Sequence, residues 1–152
     1  MAAVKTKDSH SGAAALRLGN QLCFPLYAAS RQVIRLYTPL LDPLKLTYTQ
    51  YITMMALWER DGVTVGELGQ RLYLDSGTLT PLLKKMEAAG LVERHRGTED
   101  ERQVVITLTE DGRALEGPAG QVPLQMASCL QISREDAMEL HRLLYAVLRG
   151  GL

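Results

Sequence analysis

At Gly90 the spacing of apolar residues changes, and that change constrains the fold more than any other feature of the chain. Before it, Leu79, Leu82, Leu83 and Met86 stand at i, i+3, i+4 and i+7, the stripe of an amphipathic helix. After it the period is two. Leu91 to Arg96 and Gln103 to Leu108 read as short strands joined by the polar turn Gly97-Thr98-Glu99-Asp100-Glu101. Asp75 or Ser76 caps the helix, and Gly90 stands where a left-handed residue closes one. Pro81 is awkward inside it, because proline is comfortable only in a first turn.

A shorter helix precedes this one, opened by a capping box of Thr64 and Glu67 and ending near Leu72. Thr47 and Gln50 make another box ahead of Tyr51 to Trp58, a stretch apolar nearly all round and so buried on most sides. Asp61-Gly62 ends it. Further upstream Leu22, Leu26, Ala29, Val33 and Leu36 predict a helix from about Leu18 to Tyr37, broken by Pro39 and Pro43. Thr109 caps a helix that Gly117-Pro118 interrupts, and Ser133 with Asp136 begins a last one through Leu148. The expected fold class is therefore mainly α with a small β-hairpin. A winged helix-turn-helix over 47–110 is flanked by helices over 16–46 and 111–152 and preceded by a flexible tail over 1–15. The first and last helices carry more apolar surface than so thin a core can hold, which predicts a dimer built on those helices.

Composition narrows the class. The 152 residues hold one domain. No apolar run reaches the roughly 18 residues of a membrane span, and the first residues lack the apolar core of a secretory signal, so a cytoplasmic protein is expected. Two cysteines and three histidines (His10, His95 and His141) offer neither a disulfide framework nor zinc spacing, and no cofactor or metal is called for. With 17 basic and 17 acidic residues the net charge is zero, so any surface for DNA must be local.

Such a surface has candidates. Ser76, Thr78, Thr80, Lys84 and Lys85 fall off the leucine stripe, where hydroxyls reach base edges or phosphates and lysines suit the backbone. On their own they read first as a solvated helix face. Arg94, Arg96 and Arg102 flank the hairpin, and an arginine at a wing tip enters a minor groove. Asp100 stands two residues before Arg102, placed to orient its guanidinium. Alone, that pair is a surface ion pair.

The stretch Asp100-Glu101-Arg102-Gln103-Val104-Val105-Ile106-Thr107-Leu108-Thr109 resembles the wing signature of the MarR family of transcriptional regulators. Asn20-Gln21-Leu22-Cys23-Phe24 with Tyr27, and Tyr73 to Pro81 followed by Leu83-Lys84-Lys85-Met86-Glu87, are similar to the organic hydroperoxide resistance regulator branch. The resemblance spans about Leu16 to Leu148, and Pro81 belongs to the branch pattern. It implies a homodimer on pseudo-palindromic double-stranded operator DNA.

Cys23 read by itself is a small buried hydrophobe. Pro25, two residues on, argues that a helix begins here, placing the sulfur at a dipole that favours thiolate, or else that a kink frees backbone groups beside it. A thiolate is what a peroxide oxidises to sulfenic acid, and an ordinary thiol is only a few per cent ionised at pH 7. The resemblance implies that Tyr37 and Tyr48 of the other subunit stabilise the thiolate, with Tyr27 a third candidate. Without it all three are packing residues. Cys129, alone an incidental thiol, matches the resolving cysteine of the two-cysteine subgroup, which condenses with the oxidised sensor of the partner. The implied function is a repressor that an organic hydroperoxide releases from DNA. The rivals are a repressor released by a phenolic or aromatic ligand, a small thiol peroxidase, and an architectural DNA-binding protein.

Overall fold

The structure, a computed structural model, describes residues 10–150. A short helix α1 (His10–Ala15) and a 3-10 turn (Leu18–Asn20) lead into α2 (Cys23–Leu41). A second 3-10 turn (Asp42–Leu44) is followed by α3 (Tyr48–Glu59), β1 (Val63–Thr64), α4 (Val65–Leu72) and α5 (Ser76–Ala88). The hairpin β2 (Val92–Arg96) and β3 (Val104–Leu108) comes next, then α6 (Glu110–Ala114), α7 (Glu116–Ala119), α8 (Val122–Cys129) and α9 (Arg134–Gly150). The wing is thus mounted directly on a helix-turn-helix, as expected.

The helix starts obey their local chemistry. Thr47 with Gln50, and Thr64 with Glu67, form complete capping boxes. Asp75, not Ser76, caps α5, its Oδ1 accepting the Thr78 N–H at 2.9 Å. Thr109 and Ser133 accept the N–H groups of Gly112 and Asp136, each at 3.0 Å. Gly90 (φ +73) takes the left-handed conformation that follows α5. The turn between α4 and α5 is made by Tyr73, left-handed at φ 55, and Leu74 returns its N–H to Gly69 O at 2.9 Å. A side chain at position 69 would meet Leu74 O at 2.8 Å, so only glycine lets that turn close so tightly.

Several boundaries differ from the sequence reading. The first long helix begins at Cys23, because Gln21 is extended (φ −92, ψ 119), and Pro25 lies in its first turn. It then runs through Pro39 to Leu41. Losing one donor removes only the bond to the Arg35 carbonyl, and Asp42 N–H still reaches Thr38 O. Pro43 sits in the following 3-10 turn, which the left-handed Lys45 ends. Pro81 leaves α5 continuous. Of the segment expected to be a tail, residues 1–9 lie outside the described residues, and His10–Ala15 is helical. The stretch around Gly117-Pro118 breaks into three helices, α6, α7 and α8. The hairpin also gains a third strand: β1 pairs antiparallel with β3, Val63 opposite Ile106, to give the order β1-β3-β2.

The core joins these elements. Met54 and Leu57 from α3, Leu68 from α4, Leu79, Leu83 and Met86 from α5, and Val92 and Ile106 from the sheet are all at most 1% exposed. Each such side chain contributes about 1.5–3 kcal/mol by leaving water. Helix α9 contrasts with this: Met138, Leu140, Leu143, Tyr145 and Val147 are exposed, and it buries no residue within the chain. Leu16, Leu18, Leu22, Phe24 and Leu26 at the other terminus are exposed as well. Among the described residues, no helix is long and apolar enough to cross a membrane.

Candidate functional site

Two groups of side chains emerge, one on α5 and the wing, the other along α2. On α5 the buried stripe Leu79, Leu83 and Met86 fixes the helix rotation, so Ser76, Thr78, Thr80, Lys84 and Lys85 all face outward. Thr78 is held by the cap, its hydroxyl donating to Asp75 Oδ2 at 3.1 Å. These hydrogen bonds hold the Asp75 carboxyl below the usual carboxylate range.

In the wing, Gly97 N–H reaches Gln103 O at 2.8 Å and Gln103 N–H reaches Asp100 O at 3.0 Å, closing a turn that presents Arg102. That side chain is 94% exposed, and Asp100 Oδ1 lies 3.5 Å from its Nε while accepting its backbone N–H at 3.0 Å. Arg96, at the end of β2, is exposed. Arg94 is different. It sits at the base of the wing, half-buried, with Nε donating to Glu87 Oε2 of α5 at 2.8 Å. Sequence spacing gave no sign of that pair, which forms only when β2 folds back along α5.

Cys23 is the first residue of α2 and is exposed, and its helix has no side-chain cap. Tyr37 stands 14 residues later on the same helix, about 21 Å along its axis at 1.5 Å per residue. There it packs on Tyr48 (ring centroids 4.9 Å apart) and on Tyr51 (5.8 Å). Burial pushes all three phenols above their ordinary value near 10, so they remain protonated donors across the physiological range. The structure therefore brings Tyr37 and Tyr48 together, adds Tyr51, and keeps the group far from the Cys23 of its own chain. Tyr27, one turn after Cys23, is exposed and accepts a hydrogen bond at 2.7 Å from Arg31 Nη1. Arg31 was overlooked, though its spacing of four from Tyr27 is legible in the sequence. Cys129 ends α8, exposed and free, as is Cys23.

Comparison with known proteins decides the family. The family model of the SarA/Rot transcriptional regulators matches residues 35–116. The organic hydroperoxide resistance transcriptional regulator of Bacillus subtilis is 50% identical over 133 residues, covering 88% of this chain and 90% of its own. The chain belongs to these MarR-like transcriptional regulators. As a member of that family it is a DNA-binding regulator and not an enzyme, which removes the thiol peroxidase.

Among solved structures of this regulator fold, reduced AbfR bound to DNA is 34% identical, with a TM-score of 0.77 over 93% of this chain and 99% of its own. AbfR is from Staphylococcus epidermidis. The disulfide-formed AbfR is 36% identical, with a TM-score of 0.62 over 92% and 98%. This MarR-like chain thus lies nearer in shape to the reduced, DNA-bound relative than to the disulfide-formed one.

Proposed function

We propose that this chain is a homodimeric cytoplasmic repressor, bound to operator DNA while Cys23 is reduced and released when an organic hydroperoxide oxidises it. The observation that carries this reading is the placement of Cys23 at the start of α2, with the neutral phenols of Tyr37 and Tyr48 about 21 Å away on their own chain. Those donors reach a sulfur only across a dimer in which the two α2 helices run past each other. The uncovered apolar faces of α9 and of the segment around Leu22 and Phe24 supply the surface for such a dimer. The half-identical peroxide-resistance regulator and the oxidation states in which AbfR has been solved support the same chemistry.

In this reading the two α5 helices enter successive major grooves about 34 Å apart. Ser76, Thr78, Thr80, Lys84 and Lys85 make the contacts there, and Arg96 and Arg102, the latter oriented by Asp100, reach the flanking grooves. Arg94 sets the angle of the wing through Glu87. The Cys23 thiolate attacks the peroxide; the S–O bond forms, the O–O bond breaks, and the alcohol leaves. The resulting sulfenic acid condenses with the thiol of Cys129 of the partner subunit, giving a disulfide and water. Pulling α8 toward α2 of the other chain changes the separation of the two wings, and both half-sites can no longer be held together.

The test is a titration of the reduced protein with stoichiometric cumene hydroperoxide, read on a non-reducing denaturing gel beside Cys23→Ser and Cys129→Ser. A thiol-reversible covalent dimer in the wild type alone supports the switch. Oxidised Cys23 without a covalent dimer removes Cys129 from the mechanism, and a Cys23 untouched by peroxide overturns the reading in favour of a ligand-released repressor.

A further inference from the structure

Tyr27 and Arg31 stand apart from the other exposed pairs on the molecule because of what a guanidinium can and cannot do. Arg31 Nη1 donates to the Tyr27 hydroxyl oxygen at 2.7 Å, and the guanidinium carbon lies 5.5 Å from the ring centroid. Arginine has five donors and no acceptor, so the Tyr27 proton cannot point back at it. The O–H is therefore turned outward as a donor. Cys23 precedes Tyr27 by four residues, so their β-carbons stand about 5–6 Å apart on one helix face. The three residues line one stripe of α2 in the order thiol, phenol, guanidinium.

We propose that Tyr27 delivers the proton that the peroxide's leaving oxygen requires, and that Arg31 is the positioning residue that aims this proton and stabilises the negative charge left on the phenolate oxygen. The inference rests on Cys23 being the peroxide-reactive thiol. The thiolate attacks the hydroxyl oxygen of the hydroperoxide, R–O–OH. The sulfur gives up two electrons and becomes S–OH, the O–O bond breaks, and the electron pair leaves on RO⁻. An alkoxide is a poor leaving group unless it is protonated as it departs. The Tyr27 O–H supplies that proton and ROH is released. The tyrosinate then faces a guanidinium already in hydrogen-bonding distance, a charge-assisted contact that stabilises the oxyanion, and water returns the proton.

A plain structural role for Arg31, as one more i, i+4 pair on a helix, makes a different prediction, and two probes of one thiol separate them. Alkylation by iodoacetamide expels iodide, which needs no proton, whereas cumene hydroperoxide expels an alkoxide. Rates of Cys23 loss are measured with both reagents in the full-length protein for the wild type, Tyr27→Phe, Arg31→Gln, Arg31→Lys and the double variant. Tyr27→Phe is expected to slow the peroxide reaction about a hundredfold, the low end of general acid catalysis, and Arg31→Gln about tenfold, with Arg31→Lys restoring part of that. Alkylation should stay within about twofold throughout, and the double variant should be no slower than Tyr27→Phe alone, because Arg31 works only through the phenol. The proposal is overturned if Arg31→Gln leaves the peroxide rate unchanged, if it slows alkylation equally, or if it slows the Tyr27→Phe protein by its full factor again. A wild-type Cys23 that alkylates but ignores peroxide would sink the sensing reading itself and this proposal with it.

Discussion

Replacing Gly112 by alanine should unseat the joint between the wing and the helices that follow it. Gly112 is the third residue of α6, with its N–H on Thr109 Oγ1 and its carbonyl receiving the Trp58 indole N–H at 2.9 Å. An added β-carbon would overlap the Leu91 carbonyl oxygen, more than 1 Å inside the 3.4 Å at which ordinary contact begins, and stand 3.1 Å from Leu91 C. Both close atoms are backbone, and Leu91 O is already accepting from Thr109 N at 3.1 Å, so neither can swing aside as a side chain would. Overpacking of this kind costs about 1–3 kcal/mol. Moving α6 far enough to relieve it sacrifices one or two hydrogen bonds, at about 1 kcal/mol each. Alanine returns at most about 1 kcal/mol of helix propensity. The net loss is about 1–4 kcal/mol, a fall in melting temperature of several degrees for a chain of this length. Thermal melts by circular dichroism at fixed protein concentration, on reduced protein, measure it. Gly66→Ala is the matched control, since its β-carbon would meet only Thr64 Oγ1 at 3.9 Å, and it should be neutral or slightly stabilising. A Gly112→Ala protein melting within a degree or two of the wild type would refute the reasoning.

Two further outcomes follow from the same geometry. Lys84→Ala removes an exposed cation from the outward face of α5; it should weaken DNA binding about equally for all sequences and lower the salt dependence by about one unit of slope, measured by fluorescence anisotropy across a salt series. The tyrosine cluster predicts an alkaline weakness. Because burial raises the phenols of Tyr37, Tyr48 and Tyr51 in the folded chain, the unfolded chain releases protons from about pH 10 upward while the folded one still holds them. Stability is therefore full below about pH 10 and falls as pH rises through and beyond it. Urea midpoints should hold from about pH 8 to 9.5 and drop above about pH 10 in the wild type, and drop less in Tyr37→Phe.

What could be read in the sequence is what is decided within one turn of chain. The caps at Thr47, Thr64, Thr109 and Ser133 each pair with a residue three positions away, and each appears where the sequence puts it. Strand β1 could not be read, because two residues have no period, and Val63 becomes a strand only through Ile106, 43 positions on. Pro39 misled for a related reason: the rule that proline breaks helices counts the lost donor, but not the bond from Asp42 to Thr38 that carries α2 past it. Arg94 looked like its neighbours in the wing until α5 supplied Glu87.

The thiol site divides along the same line. Pro25 announced a helix start or a kink, and the structure has the start, at Cys23. The neighbours of Cys23 on its own strip of helix, Tyr27 and Arg31, stand at spacings of four and are legible once sought. Tyr37 and Tyr48 belong to another scale. Their rings meet because the turn between α2 and α3 folds one helix onto the other, and no periodicity records that contact. In the proposed dimer they act on a sulfur of a different chain, and the 14 residues from Cys23 to Tyr37 on a rigid helix are what forbid any shorter route. A pattern that is unsatisfiable within one chain is itself information about assembly. It makes Tyr37→Phe slow the reaction of Cys23 on the neighbouring subunit, an effect that mixed dimers carrying Tyr37→Phe on one chain and Cys23→Ser on the other should separate from its mirror arrangement, with both substitutions on the same chain.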